Sequence, residues 1–151
     1  MNASSKEYLF SSIFLLANKL QTLGDVFLEK MTLKQWLLLI MIFNMEKKQP
    51  SATEIAESIG STRQNVRKML EALSAKGYIT LCVNEQDKRN LSVALTEKTL
   101  MFFARFEARG ADFLEELFDG IHPDLQESTK ITVELLFNNI ERMETKYGKS
   151  N

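Results

Sequence analysis

Residues 51–73 read Ser51-Ala-Thr-Glu-Ile-Ala-Glu-Ser-Ile-Gly60 followed by Ser61-Thr-Arg-Gln-Asn-Val-Arg-Lys-Met-Leu-Glu-Ala-Leu73. Two capping boxes, Ser51 with Glu54 and Ser61 with Gln64, announce two helices with Gly60 between them. The first helix, Thr53 to Ser58, turns Ile55, Ala56 and Ile59 inward. The second, from Ser61 to about Ala75, places Val66, Met69, Leu70 and Leu73 at i, i+3, i+4 and i+7, which gives it one apolar face. Small Ala56 lets the helices approach closely, and Gly60 takes a turn that a residue with a Cβ would resist. These are the physical needs of a helix–turn–helix that docks on DNA.

With that apolar face inward, Gln64 and Lys68 point most directly outward, flanked by Asn65 and Arg67. Arg63 reaches out from the first turn. Gln, Asn and Arg form paired hydrogen bonds with base edges, whereas Lys68 suits a phosphate. The helix start near Ser61 and Thr62 offers backbone N–H groups to a phosphate oxygen. Gly77 stops the helix.

From Ile79 the period becomes two. Ile79, Leu81 and Val83 alternate with Thr80, Cys82 and Asn84, and Leu91, Val93 and Leu95 alternate with Ser92 and Ala94. Two strands joined by the polar turn 85–90 make a hairpin. Its tip, Asp87-Lys88-Arg89, carries two cations on a protruding loop suited to a neighbouring minor groove, with Asp87 orienting the Arg89 guanidinium.

Outside this region the chain reads as helix. Leu9, Ile13, Leu16, Leu20, Leu23 and Phe27 form a narrow seam on a first helix, about Ser4 to Lys30. A capping box at Thr32 and Gln35 opens a second, whose run Trp36 to Phe43 is apolar on every side and is expected to be the buried centre. After the hairpin, Thr96 is placed to cap a helix to about Phe118 with Phe103, Phe106, Phe113 and Leu117 on one stripe. Pro123 opens the last helix, to about Tyr147, with Leu136, Ile140, Met143 and Tyr147 in register. The fold class expected is mostly α with a small β-hairpin.

The 151 residues suit one compact domain. A single cysteine forms no internal disulfide, and the N-terminus shows no signal peptide, which together favour a cytoplasmic setting. The longest apolar run, eight residues, falls far short of the roughly 18 of a membrane span, so no membrane partner is expected. The net charge is −1, yet residues 61–90 carry six basic side chains against three acidic ones, a local +3 with −4 on the remainder. Local charge decides whether a polyanion can dock.

In the order and spacing of its motifs the chain resembles the MarR-type winged helix-turn-helix transcriptional regulators. The matching stretches are 32–36, 53–60, 61–73, 76–79, 87–89 and Leu95-Thr96, so the resemblance spans essentially the whole chain. It implies a winged helix-turn-helix region over 32–96 and helical dimerisation segments over 4–30 and 97–147. It also implies an obligate homodimer on double-stranded DNA, with Ser61 to Lys68 in the major groove and Arg89, braced by Asp87, in the minor groove. Thr80 departs from the pattern, since many such regulators have an Arg there, and Asn90 stands where a small residue is common.

The rest of the chain adds little chemistry. Cys82 reads as an ordinary strand residue and the lone His122 as a surface loop residue, too few groups for a metal site. No catalytic set is present, so no enzyme and no cofactor are expected. The resemblance leaves room for a small-molecule effector; Trp36, Phe10, Phe14 and Phe103 are its aromatic candidates, but their helical spacing reads first as core. The reading is therefore a repressor on a pseudo-palindromic operator. Its rival is a winged-helix dimer that binds a protein partner instead of DNA.

Overall fold

The computed structural model describes residues 4–83 and 91–148. The order is α1 (Ser5–Leu28), α2 (Leu33–Asn44), α3 (Ala52–Ile59), α4 (Arg63–Ala75), β1 (Ile79–Val83), β2 (Leu91–Leu95), α5 (Glu97–Leu117) and α6 (Pro123–Tyr147). This is the mostly helical architecture with one pair of strands that the periodicity predicts, in the element order that the resemblance to winged-helix regulators implies. The chain divides into two compact units, residues 1–104 and 105–151.

In the first unit the core is built from the predicted apolar positions. Leu38, Leu39 and Ile42 of α2, Ile55 and Ala56 of α3, and Val66, Leu70 and Leu73 of α4 are buried, with Val93 of β2 among them. β1 and β2 pair antiparallel in the register Ile79 to Leu95, Leu81 to Val93 and Val83 to Leu91. The small sheet is extended where Ser51 bridges Ser92 and the Val93 N–H donates to Pro50 O at 2.9 Å. Ser51 also caps α3, so one residue joins the start of the helix–turn–helix to the wing strand.

α2 is not buried on every side. Leu37, Met41 and Phe43 remain exposed, because α2 is covered on one face only in the single chain and the apolar composition of 36–43 exceeds that face. Phe43 meets the Phe103 ring edge-on at 5.6 Å. The seam of α1 is likewise turned to solvent: Leu9, Ile13, Leu16 and Leu23 are exposed, and only Gly24 and Leu28 are buried. Phe10 and Phe14, expected as core, stack edge-on at 5.3 Å on that open face.

In the second unit α6 buries no residue, and Leu136, Ile140, Met143 and Tyr147 are exposed. Its start corrects the reading of His122. This side chain is not an idle loop residue but the N-cap, its Nδ1 accepting from the Asp124 N–H at 3.3 Å while Pro123 takes the first turn.

Candidate nucleic-acid interface

The site begins at the turn between α3 and α4. Gly60 adopts φ 64° and ψ 34°, a left-handed conformation that costs an L-residue about 1–2 kcal/mol. Its N–H and that of Ser61 fold back onto the last carbonyls of α3, the Ser61 N–H donating to Ala56 O at 3.0 Å. Ser61 therefore completes α3 rather than opening α4. The cap of α4 lies one residue later than its sequence suggests: Thr62 Oγ1 accepts from the Asn65 N–H at 3.2 Å. The Ser61 N–H, expected to meet a phosphate, is already used.

From that start α4 presents two contrasting faces. Val66, Leu70 and Leu73 are fully buried against the core, and α4 packs on α3 and β1. Thr62, Arg63, Gln64, Asn65, Arg67 and Lys68 are exposed, while Ser61 is half-buried. Seven of the ten anticipated DNA-facing residues thus lie within eight consecutive positions. Asp87, Lys88 and Arg89 lie outside the described residues.

Two charged groups depart from the simple tally of cations. Arg67 Nε donates to Glu71 Oε1 at 2.9 Å, an i,i+4 pair with both partners more than half exposed. Its spacing made this pair readable in the sequence. Lys76, counted with the basic segment, turns its ammonium onto the Lys30 carbonyl at 3.3 Å and Gln35 Oε1 at 3.1 Å, both contacts lying at the surface. Nothing in the local sequence signals that contact, because its partners lie 41 and 46 residues earlier.

The turn that follows α4 is held by residues from the start of α5. Thr96 precedes α5 as expected, but its hydroxyl donates back to Gly77 O and Tyr78 O at 2.8 and 2.9 Å. The buried Thr99 hydroxyl donates to the same Tyr78 carbonyl, and Lys98 lies over the Tyr78 ring at 4.6 Å. On the opposite flank Lys47 binds both oxygens of Glu54, at 2.8 and 3.0 Å, while the Ser51 N–H donates to the same carboxylate at 2.7 Å. The Lys47 hydrogen bond and then the cap contacts with Ser51 hold the Glu54 carboxyl down to about 2.

Thr80 and Cys82 are exposed on β1. Among the described residues no group of three or more His, Cys, Asp or Glu side chains is placed to hold a metal ion, and no helix is long and apolar enough to cross a membrane.

Comparison with known proteins places this geometry. Residues 30–90, which span α2, the helix–turn–helix and the first wing strand, match the MarR family. Among curated proteins the chain is similar to the HTH-type transcriptional regulator PrsX of Escherichia coli, 25% identical over 92 residues that cover 61% of this chain and 55% of that one. It is also similar to the Escherichia coli regulator PapX, 26% identical over 88 residues, 58% of this chain and 54% of that one. The chain thus spans about half the length of the curated relatives it matches. Among solved structures a MarR protein from Peptoclostridium difficile superposes with a TM-score of 0.84 at 17% identity, covering 98% of this chain and 96% of its own. The MepR–DNA complex of S. aureus gives 0.76 at 19% identity over 91% of this chain and 99% of that one. Sco3205 from Streptomyces coelicolor, also in complex with DNA, gives 0.77 at 20% identity over 92% and 91%. The match to the MarR family thus covers the helix–turn–helix region, residues 30–90, and the fold is similar to that of solved MarR proteins along nearly the whole length.

Proposed function

We propose that this chain is a sequence-specific DNA-binding transcriptional regulator that acts as a homodimer on a pseudo-palindromic operator. The observation that carries the proposal is the two-faced α4. Gln64, Asn65, Arg67 and Lys68 are exposed along one side, while Val66, Leu70 and Leu73 anchor the other in the core. A helix so fixed presents base-reading and phosphate-binding side chains without paying to order a backbone. The helix-turn-helix relatives, and the similar folds solved on DNA, support the same reading.

Gln64 and Asn65 read base edges, Lys68 binds phosphate, and Arg63 and Arg67 serve either role. Asp87, Lys88 and Arg89, which lie outside the described residues, are assigned to the minor groove on the resemblance alone. The apolar faces that α1 and α6 leave exposed are the dimer contact, and two-fold symmetry then sets half-sites roughly 10 bp apart. Such a dimer seated at a promoter excludes polymerase by occupancy alone, which makes repression its simplest action.

The test is selection of duplexes from a random pool by the purified protein, followed by binding of single-base-pair variants of the winner. Gln64→Ala and Asn65→Ala should each relax discrimination at particular base pairs by about 1–3 kcal/mol. A protein that enriches no sequence, and tolerates charge reversal at Arg63 and Arg67, would instead be a protein-binding winged helix.

A further inference from the structure

Lys76 follows the last residue of α4, and both ends of this residue are engaged. Its ammonium donates to Lys30 O and Gln35 Oε1, at 3.3 and 3.1 Å, and its own carbonyl accepts from the Lys98 ammonium. Gln35 Oε1 is already the acceptor that caps α2, taking the Thr32 N–H at 3.2 Å. One amide oxygen therefore ties the beginning of α2 to the end of the candidate DNA-reading helix.

The corner reached by Lys76 is itself closely built. Asp25 Oδ1 accepts from the Leu33 N–H at 2.6 Å, binding the end of α1 to the first turn of α2. A Cβ on Gly24 would lie 2.9 Å from the Leu33 side chain, so the helices meet there with no room to spare. Glu29 turns the chain at φ 59°, and the Lys30 N–H closes on Leu28 O at 2.6 Å. A rigid corner of this kind is a reference against which α4 can be held.

We propose that Lys76 is a positioning residue, a strap that fixes α4 against the α1–α2 corner and so sets the separation of the two DNA-reading helices in the dimer. The inference rests on the DNA-binding homodimer proposed above. It assigns Lys76 no contact with DNA, although the residue lies in the basic segment.

The experiment uses the full-length protein, the best duplex it selects, and versions of that duplex with one base pair inserted or removed between half-sites. The wild-type protein is expected to lose about tenfold or more on either altered spacing. Lys76→Met keeps the aliphatic stem and removes the ammonium. It should bind the parent duplex about 3–10-fold more weakly, the scale of one or two net hydrogen bonds, and its spacing penalty should fall below about threefold. Its salt slope should equal that of the wild type. Lys76→Arg, which retains donors on a long stem, should restore the penalty. Gln35→Glu, which keeps the cap acceptor and pairs more tightly with the ammonium, should preserve or sharpen it.

A full spacing penalty in Lys76→Met overturns the strap, as does a wild-type protein indifferent to spacing. A salt slope reduced by about one, with the penalty intact, makes Lys76 a phosphate contact instead. If the wild type selects no duplex, the DNA-binding reading fails and the strap falls with it. If the wild type selects and discriminates but Lys76→Met behaves identically, only the strap is lost.

Discussion

Arg67 donates its Nε to Glu71 Oε1 at 2.9 Å, so the one acidic side chain on α4 pairs with an exposed guanidinium one turn away. An exposed pair of this kind adds only about 0.3–0.5 kcal/mol to the helix. Its larger consequence is electrostatic, since Glu71 offsets part of the charge that would attract any polyanion and holds Arg67 in one orientation. Glu71→Gln should raise affinity for a scrambled duplex by about 2–5-fold, steepen the salt slope and lower the ratio of specific to non-specific binding. Fluorescence anisotropy on selected and scrambled duplexes measures all three. Unchanged scrambled-duplex affinity would remove Glu71 from the specificity of this protein.

Glu54 supplies the pH dependence. Its folded pKa of about 2 lies below the ordinary 4.5, so folding favours the carboxylate. The stabilisation is complete above about pH 4.5 and disappears as pH falls toward 2. Because Lys47 and Glu54 are about half exposed, screening keeps the contribution to roughly 1 kcal/mol or less. Glu54→Gln can still complete the capping box but loses the charge pair. Its Tm should be about 2–4 °C below wild type at pH 7, with the gap closing by pH 2.5 in calorimetric scans. A gap that persists undiminished at low pH would contradict the role of the Lys47 pair.

At Gly60 the cost is conformational. No atom lies within 4 Å of a Cβ added there, but the φ of 64° belongs to the left-handed region. Gly60→Ala should destabilise by about 1–2 kcal/mol, and Gly60→Asn by less, because Asn tolerates that region better. Urea denaturation with an unchanged m-value is the appropriate measure.

The apolar face of α6 gives a prediction about assembly. Leu136 and Ile140 are exposed in the single chain, 39% and 51%, so Leu136→Glu with Ile140→Glu should leave the fold of the monomer intact. The double variant should sediment as a monomer and lose most specific DNA affinity, while its far-UV circular dichroism stays that of a helical protein. A dimer that survives both charges would place the subunit contact elsewhere.

Most of the helix–turn–helix was legible because its determinants are local. Ser51, Glu54 and Gly60 announce boundaries by their own chemistry, and the spacing of Val66, Leu70 and Leu73 fixes which face of α4 is buried. The one-residue error at Ser61 arose because two helices compete for it. The backbone that ends α3 takes its N–H, a choice set by the turn and not by the Ser-to-Gln spacing. The apolar run 36–43 is not wholly buried in the single chain, because hydrophobicity says how much surface seeks cover, not which chain provides it. Lys76 could not be placed from sequence, since its role depends on an acceptor 41 residues away. The capping role of His122 is not legible from its residue type, since histidine is not among the preferred caps, although the Pro123 beside it marks the helix start.

The most direct test of the account is the affinity of the wild-type protein for its selected duplex and for a scrambled duplex of equal length, measured across salt. The account predicts specific binding at least about 10³-fold tighter at physiological salt, with log affinity falling steeply and linearly as log salt rises. Equal affinity for the two duplexes, or binding insensitive to salt, would contradict it.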